Sequence, residues 1–325
     1  MDKIKVGFIG AGIFANTMHY PSLAELEDVE LIAVCDLDKE RVSATAEKFQ
    51  IRKTFTDYKE MLNKVKLDAV YVIMGPKFVA PIALDCLSRG LHLFVEKPPG
   101  VNLEETEEMA EVARKNNCKT MVGFNRRFAP VAREARRIVE MSGQITLCVG
   151  ELHKFHLYDL PLYGTPSWLL IEPHQLDTLR WLGGEVTGVK TYVQSFRSDY
   201  PNIYTVLLQF KNGASGVLIA NFASGARRER FEIHGKAIAA YLQLPDKGEI
   251  YRENREFADP RPAITLEGKG LAGSSDPRLT YGYLEESRHF IECIKKGTDT
   301  DSSLGEAVET MRLVEKIDKS IKPRR

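Results

Sequence analysis

The chain has 325 residues, more than the roughly 250 to 300 that one hydrophobic core usually serves, so two domains are expected. Hydrophobic residues make up 43% of the sequence and charged residues 28%, a mixture that excludes disordered and fibrous proteins. Basic and acidic residues number 45 each, so the net charge of zero argues against a nucleic-acid partner.

The first part of the chain alternates short apolar runs with helical patterns, which is typical of βαβ units and a parallel sheet. The predicted strands are 4–9, 30–35, 69–73, 91–95 and 120–122. The predicted helices are 14–26, 39–49, 57–64, 77–89 and 103–117. Residues 1–122 are therefore predicted to form an N-terminal Rossmann domain with a doubly wound parallel sheet.

A glycine-rich turn follows the first predicted strand, in the pattern G-x-G-x-x-A. Gly10 permits a tight turn, Gly12 leaves room for a pyrophosphate, and Ala15 lets the next helix pack closely; Ile13 and Phe14 complete the predicted loop. Asp36 ends the second strand, where its carboxylate would accept hydrogen bonds from a ribose and repel a 2′-phosphate. The pattern predicts NAD as cofactor, with NADP as an alternative because Lys39 and Arg41 lie nearby.

The fifth predicted strand ends in Glu96-Lys97-Pro98. The carboxyl end of a strand in such a sheet lies where ligands bind, so Lys97 would face the reactive end of the cofactor. From the spacing alone, a solvated lysine before a turn is equally consistent.

After Gly123 the pattern changes to one helix, alternating strands and two closing helices. Strands 204–210 and 215–222 flank an Asn-Gly turn signal and predict a hairpin. The other expected elements are a helix at 128–140, strands at 230–234 and 238–244, an irregular segment at 246–280, and helices at 283–296 and 304–321. Residues 123–325 are predicted to form an α/β domain with a large, open, mostly antiparallel sheet, whose free face would be a natural surface for oligomer formation. An alternative arrangement, in which the final helices pack back on the first domain, stays open.

Several motifs resemble those of the Gfo/Idh/MocA oxidoreductase family, and in particular its bacterial MviM-like branch. They are the first strand and glycine loop, E-K-P at 96–98, G-F-N-R-R-F at 123–128, His174-x-x-Asp177 and the helix around Arg288 to Ile291. The resemblance covers essentially the whole chain. It implies an NAD(P)-dependent dehydrogenase that transfers a hydride between nicotinamide and a carbinol carbon of a sugar, cyclitol or related polyol. It also implies that the second domain binds the substrate and that its sheet assembles a homodimer or homotetramer.

The resemblance also implies roles for individual residues. Lys97 and His174 correspond to the catalytic lysine and histidine, and the Lys97-Pro98 peptide bond is often cis in relatives. The expected cofactor contacts include Glu96 and Lys97, and extend to the segment Met74, Gly75 and Pro76. In the family, an aspartate usually lies four residues before the catalytic histidine. This sequence has Leu170 at that position. Glu172 is a candidate substitute.

Candidate substrate-binding residues lie near the start of the second domain. Asn125 and Arg126 could face an acidic or phosphorylated sugar, since arginine recognises carboxylates and phosphates. His153, Glu172 and His174 are further candidates, and His156, Tyr158 and Tyr163 lie on the same strand or the loop after it. No metal site is predicted, because His153-x-x-His156 lacks nearby acidic or cysteine ligands.

Two other functions stay open. Leu170 also suits a non-catalytic NAD(P)-binding sensor or regulator, and the family includes glycosidases and epimerases that use NAD as a transient oxidant. The five scattered cysteines show no paired or metal-ligand spacing, and the sequence offers no secretory signal and no apolar run long enough for a membrane helix. A cytoplasmic location with reduced thiols is therefore expected.

Overall fold

A computed structural model describes residues 3–156, 160–162, 165, 167–253 and 261–321. The first 124 residues contain six strands, β1 to β6. Their bounds are Ile4–Ile9, Val29–Cys35, Lys53–Phe55, Ala69–Val72, His92–Val95 and Thr120–Val122. A π-helical turn at Ala15–His19 precedes five helices, α1 to α5. These are Tyr20–Ala24, Lys39–Phe49, Tyr58–Lys64, Val79–Ser88 and Leu103–Lys115.

Eight more strands and seven more helices follow among the described residues. Strands β7 to β14 are Leu147–Phe155, Val186–Gln194, Ile203–Phe210, Ser215–Asn221, Ala223–Gly235, Ile238–Gln243, Lys247–Arg252 and Ile264–Glu267. Helices α6 to α12 are Pro130–Glu140, Trp168–Ile171, His174–Gly183, Gly268–Ala272, Pro277–Thr280, Tyr283–Lys296 and Leu304–Ser320.

The chain divides into two compact units. The first consists of Met1–Phe124 and Tyr283–Glu309, and the second of Asn125–Gly282 and Thr310–Arg325. Helix α11 therefore belongs to the first unit, while α12 begins in the first and ends in the second. The C-terminal helical segment is attached to the N-terminal sheet by Ser302, whose backbone carbonyl accepts the Val122 N–H at 2.8 Å and whose hydroxyl donates to the Val122 carbonyl.

The sheet of the first unit has the order β3-β2-β1-β4-β5-β6, and every neighbouring pair is parallel. Its central strands are apolar and inaccessible on both faces, as Val70 and Leu93 show on one face and Tyr71 and Phe94 on the other. Such burial is expected of a parallel sheet covered by helices on both sides. The predicted doubly wound Rossmann sheet is confirmed, with β3 as an additional short edge strand that was not predicted.

Helix starts in this unit follow local capping chemistry. The carboxylate of Asp38 accepts the N–H groups of Glu40 and Arg41 at the start of α2. Asn102 accepts the Glu105 N–H at 2.8 Å at the start of α5, and Glu105 reaches back to the Val101 N–H at 2.9 Å. Asn102 and Glu105 form a capping pair in which Glu105 bonds one residue further back than in the usual capping box.

The sheet of the second unit has the order β14-β13-β12-β11-β7-β10-β9-β8. All its neighbouring pairs are antiparallel except β7 with β10, so the expectation of a mostly antiparallel sheet is confirmed. Helix α8 packs on β7 and β10, and α6 packs on β11, β12 and β13. Residues alternate along the strands between this helix-covered face and a more exposed face, as in β9 and β10.

The prediction of an irregular segment over 246–280 is wrong. Strands β13 and β14 extend the sheet beyond β12, with Lys247 opposite Gln243 and Glu267 opposite Lys247. Helices α9 and α10 lie in the same segment, while residues 254–260 are outside the described part. Prolines and glycines suggested a loop, but β13 pairs with β12 across the short turn at 244–246 and β14 pairs with β13, so strand pairing outweighs the low strand propensity of these residues.

A buried acid near the end of α12 gives a testable prediction for the second unit. Burial raises the pKa of Asp318 from 3.8 to about 6, partly opposed by a hydrogen bond with Ser167. The folded state then binds more protons than the unfolded state between these two values, so stability falls as pH rises through pH 4 to 6. We expect Asp318→Asn to raise the free energy of unfolding at pH 8 by about 3 kcal/mol.

The measurement is urea unfolding at pH 8 and at pH 3.5, where Asp318 is protonated and the gain should vanish. The exposed Asp199, replaced by asparagine, is the matched control in the same unit. An equal gain at both pH values would contradict the titration argument.

Within the described residues, no helix is long and apolar enough to cross a lipid bilayer.

Candidate functional site

Four adjacent strands of the first unit carry the predicted cofactor residues at their carboxyl ends. The strands β2, β1, β4 and β5 are neighbours in that order and run in parallel. Each is followed by one predicted group: Asp36 after β2, the glycine loop after β1, Met74 to Pro76 after β4, and Glu96 with Lys97 after β5. The fold therefore brings four segments of distant sequence to one edge of the sheet, where ligands of such sheets bind.

Gly10 is required where β1 approaches β4. Its φ is +116°, and a Cβ built there would lie 2.1 Å from the backbone oxygen of Ile73. No other residue fits both the backbone conformation and the space. Gly10 also donates its N–H to the Cys35 carbonyl at 2.8 Å, which joins the loop to β2.

Gly12 has a different environment. A Cβ at Gly12 would meet no protein atom within 4 Å, so the space beside this residue is open. The neighbouring Ile13 and Leu37 are exposed by 86% and 92%, which is unusual for large apolar side chains. An open glycine flanked by exposed apolar side chains fits the adenosine and pyrophosphate parts of a dinucleotide.

The different environments of the two glycines lead to a prediction. We expect Gly12→Ala to leave the melting temperature within about 2 °C of wild type, because the methyl group contacts no protein atom, and to weaken NAD binding at least roughly tenfold, because it occupies the pyrophosphate position. Calorimetric titration with NAD measures this effect. Gly10→Ala is the comparison and should impair folding itself; unchanged NAD affinity in Gly12→Ala would contradict the assignment.

Asp36 lies at the end of β2 with its carboxylate turned toward the glycine loop. One oxygen accepts the Ala11 N–H at 2.7 Å and the other accepts the Asp38 N–H at 3.0 Å. A carboxylate has about four acceptor positions, so both oxygens can still accept hydrogen bonds from ribose hydroxyls. Arg41 pairs with Asp38 at 3.1 Å on the exposed start of α2. These residues fit NAD, since a carboxylate occupies the position where a 2′-phosphate would need a cation.

The turn after β5 holds Lys97 in a defined backbone position. The Lys97–Pro98 peptide bond is cis, as the family resemblance implied. One carboxylate oxygen of Glu96 accepts the Lys97 N–H at 3.0 Å, and the other lies 2.9 Å from Nε2 of His19. The Lys97 side chain is half-buried. Glu96 therefore supports the turn through its side chain, in addition to the predicted proximity to the cofactor.

A group that the sequence did not reveal lies next to this turn. His19, Glu96 and Glu286 each place a ligand-type atom within 4.8 Å of the others. His19 and Glu286 are fully inaccessible, while the Glu96 side chain is 11% exposed. The three residues come from the turn after β1, the end of β5 and helix α11, so only the tertiary structure brings them together.

In the second unit, Glu172 and His174 flank the start of α8. His174 is buried at the first position of this helix. The Glu172 carboxylate contacts the Lys154 ammonium directly and lies 3.8 Å from Nε2 of His156. The ring of His156 stacks on Trp168, with centroids 3.9 Å apart. Lys154 was not identified from the sequence, because nothing in the residue pattern of β7 indicates that it pairs with Glu172.

Leu170 lies in the short apolar helix α7 and is only 7% exposed. The position that bears an aspartate in relatives therefore contributes an apolar side chain here. Glu172, two residues further on, is the nearest carboxylate in sequence and is already engaged by Lys154. This arrangement keeps a negatively charged group near the start of α8.

Asn125 and Arg126 are engaged within the second unit. The Arg126 guanidinium binds Glu229 through Nε and one terminal nitrogen at 2.8 and 2.9 Å, and its other terminal nitrogen donates to Asn125. Burial raises the pKa of Glu229, but the charge and hydrogen bonds of Arg126 outweigh burial and hold it below its ordinary value. Arg127 makes a similar buried pair with Asp177.

His153 lies on the opposite face of β7 from Lys154, because successive strand residues point to opposite faces. Its ring is 3.9 Å from Glu151 on the open face. The structure therefore does not bring His153 together with Glu172 and His174. Tyr158 and Tyr163 lie outside the described residues.

Comparison with known proteins agrees with this arrangement. Residues 4–124 match the family model of the oxidoreductase family with an NAD-binding Rossmann fold, and residues 143–240 match the GFO/IDH/MocA C-terminal domain. The two matches cover more than half of the chain. This protein belongs to the Gfo/Idh/MocA family. It is thus an NAD-binding oxidoreductase, and the predicted family and cofactor are confirmed.

Individual relatives are similar over nearly the full length of the chain. The myo-inositol 2-dehydrogenase of Thermotoga maritima is 25% identical and is matched over 90% of this chain and 89% of its own. The D-apiose dehydrogenase of Paraburkholderia graminis is 24% identical, with 97% and 87% covered. The structure of the dehydrogenase MviM from Clostridium difficile superimposes with a TM-score of 0.82 at 23% identity, covering 98% and 99%.

Proposed function

We propose that the protein is a dehydrogenase that oxidises a CH–OH group of a sugar, cyclitol or related polyol, or reduces the corresponding carbonyl. The observation that carries this proposal is the row of strand ends in the first unit, where the glycine loop, Asp36 and Lys97 follow neighbouring strands. The names of the relatives from T. maritima and P. graminis support the substrate class.

Bound NAD would supply the ring that accepts or returns the hydride. Lys97, held by the Glu96 carboxylate, is assigned to bind the reacting hydroxyl and take up its proton. His174 is assigned as a second proton-transfer residue, as the family resemblance implies, since imidazole exchanges protons near neutral pH. Glu172 is assigned to substrate binding together with Lys154.

The experiment is a screen of NADH absorbance. Purified protein with NAD is mixed with inositols, pentoses, hexoses, levoglucosan-type anhydrosugars and sugar acids, and the absorbance near 340 nm is followed. We expect net NADH formation with at least one neutral polyol, and a lower rate with NADP. Glu172→Gln should raise KM for that substrate without changing NAD affinity. Failure of all classes in both reaction directions would reject the proposal.

A second candidate, an NAD-binding sensor, is favoured by one observation. Leu170 is buried in an apolar helix, so the family's proton-transfer aspartate is absent from its usual place. A sensor would bind NAD and a polyol without forming NADH. The same screen distinguishes the two, because a ligand that raises the melting temperature without turnover would support the sensor.

We further propose that the exposed face of the eight-stranded sheet joins copies of the chain. It carries large exposed apolar side chains on four strands: Phe155, Tyr192, Leu207 and Tyr241. Exposed apolar patches of this kind usually mark interaction surfaces. Light scattering of wild type and of Leu207→Glu tests this, with a dimer or tetramer expected only for wild type.

A cytoplasmic location is proposed from the five cysteines, all of which are free and buried.

A further inference from the structure

The buried contact between His19 and Glu96 connects the glycine loop with the turn that carries Lys97. His19 is the last residue of the π-helical turn Ala15–His19, which follows directly from the loop. Its Nε2 lies 2.9 Å from the Glu96 carboxylate. Glu96 in turn accepts the Lys97 N–H. Two hydrogen bonds therefore link the segment after β1 with the backbone of Lys97.

Aromatic side chains fix the orientation of the His19 ring. Phe94, Phe14 and Tyr283 contact it edge-on, with centroids 5.2, 5.4 and 5.9 Å away. Nδ1 is buried and has no hydrogen-bond partner among the described residues. An ionised carboxylate only accepts hydrogen bonds, so we assign the ring hydrogen to Nε2, where it is donated to Glu96. The ring thus has one hydrogen-bond partner among the described residues, Glu96, and one orientation.

The Glu96 carboxylate is confined as well. A Cβ at Gly123 would lie 2.6 Å from one of its oxygens, so the absence of a side chain at Gly123 is what leaves room for it. Both oxygens are already engaged, one by His19 and one by the Lys97 N–H. A carboxylate held on two sides in a nearly closed space transmits a displacement of one partner to the other, because packed interiors have little free volume.

We propose that His19 and Glu96 are positioning residues that set the place of Lys97 according to the state of the glycine loop. The catalytic role of Lys97 rests on the proposed function, but the link itself does not. Nucleotide phosphates that order the loop would fix the turn ending at His19, then the Glu96 carboxylate, and then Lys97. Neither residue needs to touch the substrate.

The first test uses turnover with the polyol found in the screen. His19→Leu removes the donor to Glu96, and we expect kcat to fall roughly 10- to 100-fold, as for small displacements of a reacting group. KM for the polyol and Kd for NAD should change less than about threefold. His19→Gln places an amide N–H near the Nε2 position and should restore most of kcat, a rescue that a role in packing alone would not give.

The second test needs no substrate and so separates this proposal from the proposed function. Acetylation of Lys97 by acetic anhydride is quantified by mass spectrometry with and without ADP, which contains the phosphates but not the nicotinamide. We expect ADP to change the Lys97 rate at least about threefold in wild type and in His19→Gln. The change should be absent in His19→Leu and in Glu96→Ala at saturating ADP, with folding checked by circular dichroism.

His234→Leu is the matched control, since His234 also contacts a glutamate, Glu232 at 3.1 Å, but in the second unit. It should leave the ADP effect intact. The proposal is overturned if ADP has no effect on Lys97 in wild type, or if His19→Leu keeps the effect. It is also overturned if the purified protein holds a stoichiometric metal at His19, Glu96 and Glu286 whose removal abolishes the effect, because a metal and not the hydrogen bond would then form the link.

Discussion

Replacing Lys97 by alanine is expected to lower kcat by roughly 100- to 10,000-fold, the range associated with loss of a positioned acid-base group. Affinity for NAD should change little, because the glycine loop and Asp36 are separate from the Lys97 side chain. The measurement combines steady-state kinetics on the polyol from the screen with calorimetric titration of NAD. The turn should persist, since alanine retains the backbone N–H that Glu96 accepts at residue 97.

Lys59→Ala is the control for general effects of removing a lysine, because Lys59 is exposed at the start of α3. Lys97→Arg provides a second comparison, since it keeps the charge but cannot give up a proton at neutral pH. Full turnover in Lys97→Ala would remove Lys97 from the mechanism. Loss of NAD binding with loss of turnover would instead show that Lys97 supports the cofactor site.

Replacing Glu229 by glutamine is expected to lower the free energy of unfolding by about 3 to 5 kcal/mol at pH 7, because the buried Arg126 guanidinium then loses the carboxylate that balances its charge. Both side chains are nearly inaccessible, at 6% and 4% exposure. Urea unfolding measures the loss. The double variant Arg126→Met with Glu229→Leu should regain most of it, since apolar residues often replace a buried ion pair without net cost.

The pH dependence of the same pair has a defined sign. Arg126 holds the pKa of Glu229 below its ordinary value of 4.5, so the pair stabilises the folded state above pH 4.5, and this contribution is lost as the pH falls below it. The Glu229→Gln variant should lose less stability than wild type over that acid range. If Arg126 instead served only the substrate, Glu229→Gln would leave stability unchanged and Arg126→Met would raise KM.

The family motifs were identifiable from local sequence because their chemistry is local. A glycine pattern between a strand and a helix needs only neighbouring residues, and Asp36 follows from the next strand. Lys97 could be placed because the end of a parallel strand has a known relation to the ligand edge. The central strands were predicted for the same reason.

Residue roles that depend on partners far along the chain were decided only by the tertiary structure. Arg126 was predicted to bind substrate, yet its guanidinium is engaged by Glu229, 103 residues away. His19 contacts Glu96, which is 77 residues away in the sequence, and no periodicity or motif predicts this contact. Strands β13 and β14 were missed because their hydrogen bonds depend on a neighbouring strand.

The sequence by itself determined the class of fold, the cofactor loop and the family, since these follow from short-range patterns of size, charge and hydrophobicity. The tertiary structure decided which charged side chains are already paired and which face of β7 each residue occupies. It also brought His19, Glu96 and Glu286 together. The physical reason is that a buried charge takes its partner from whatever the fold places beside it, and long-range packing sets that choice.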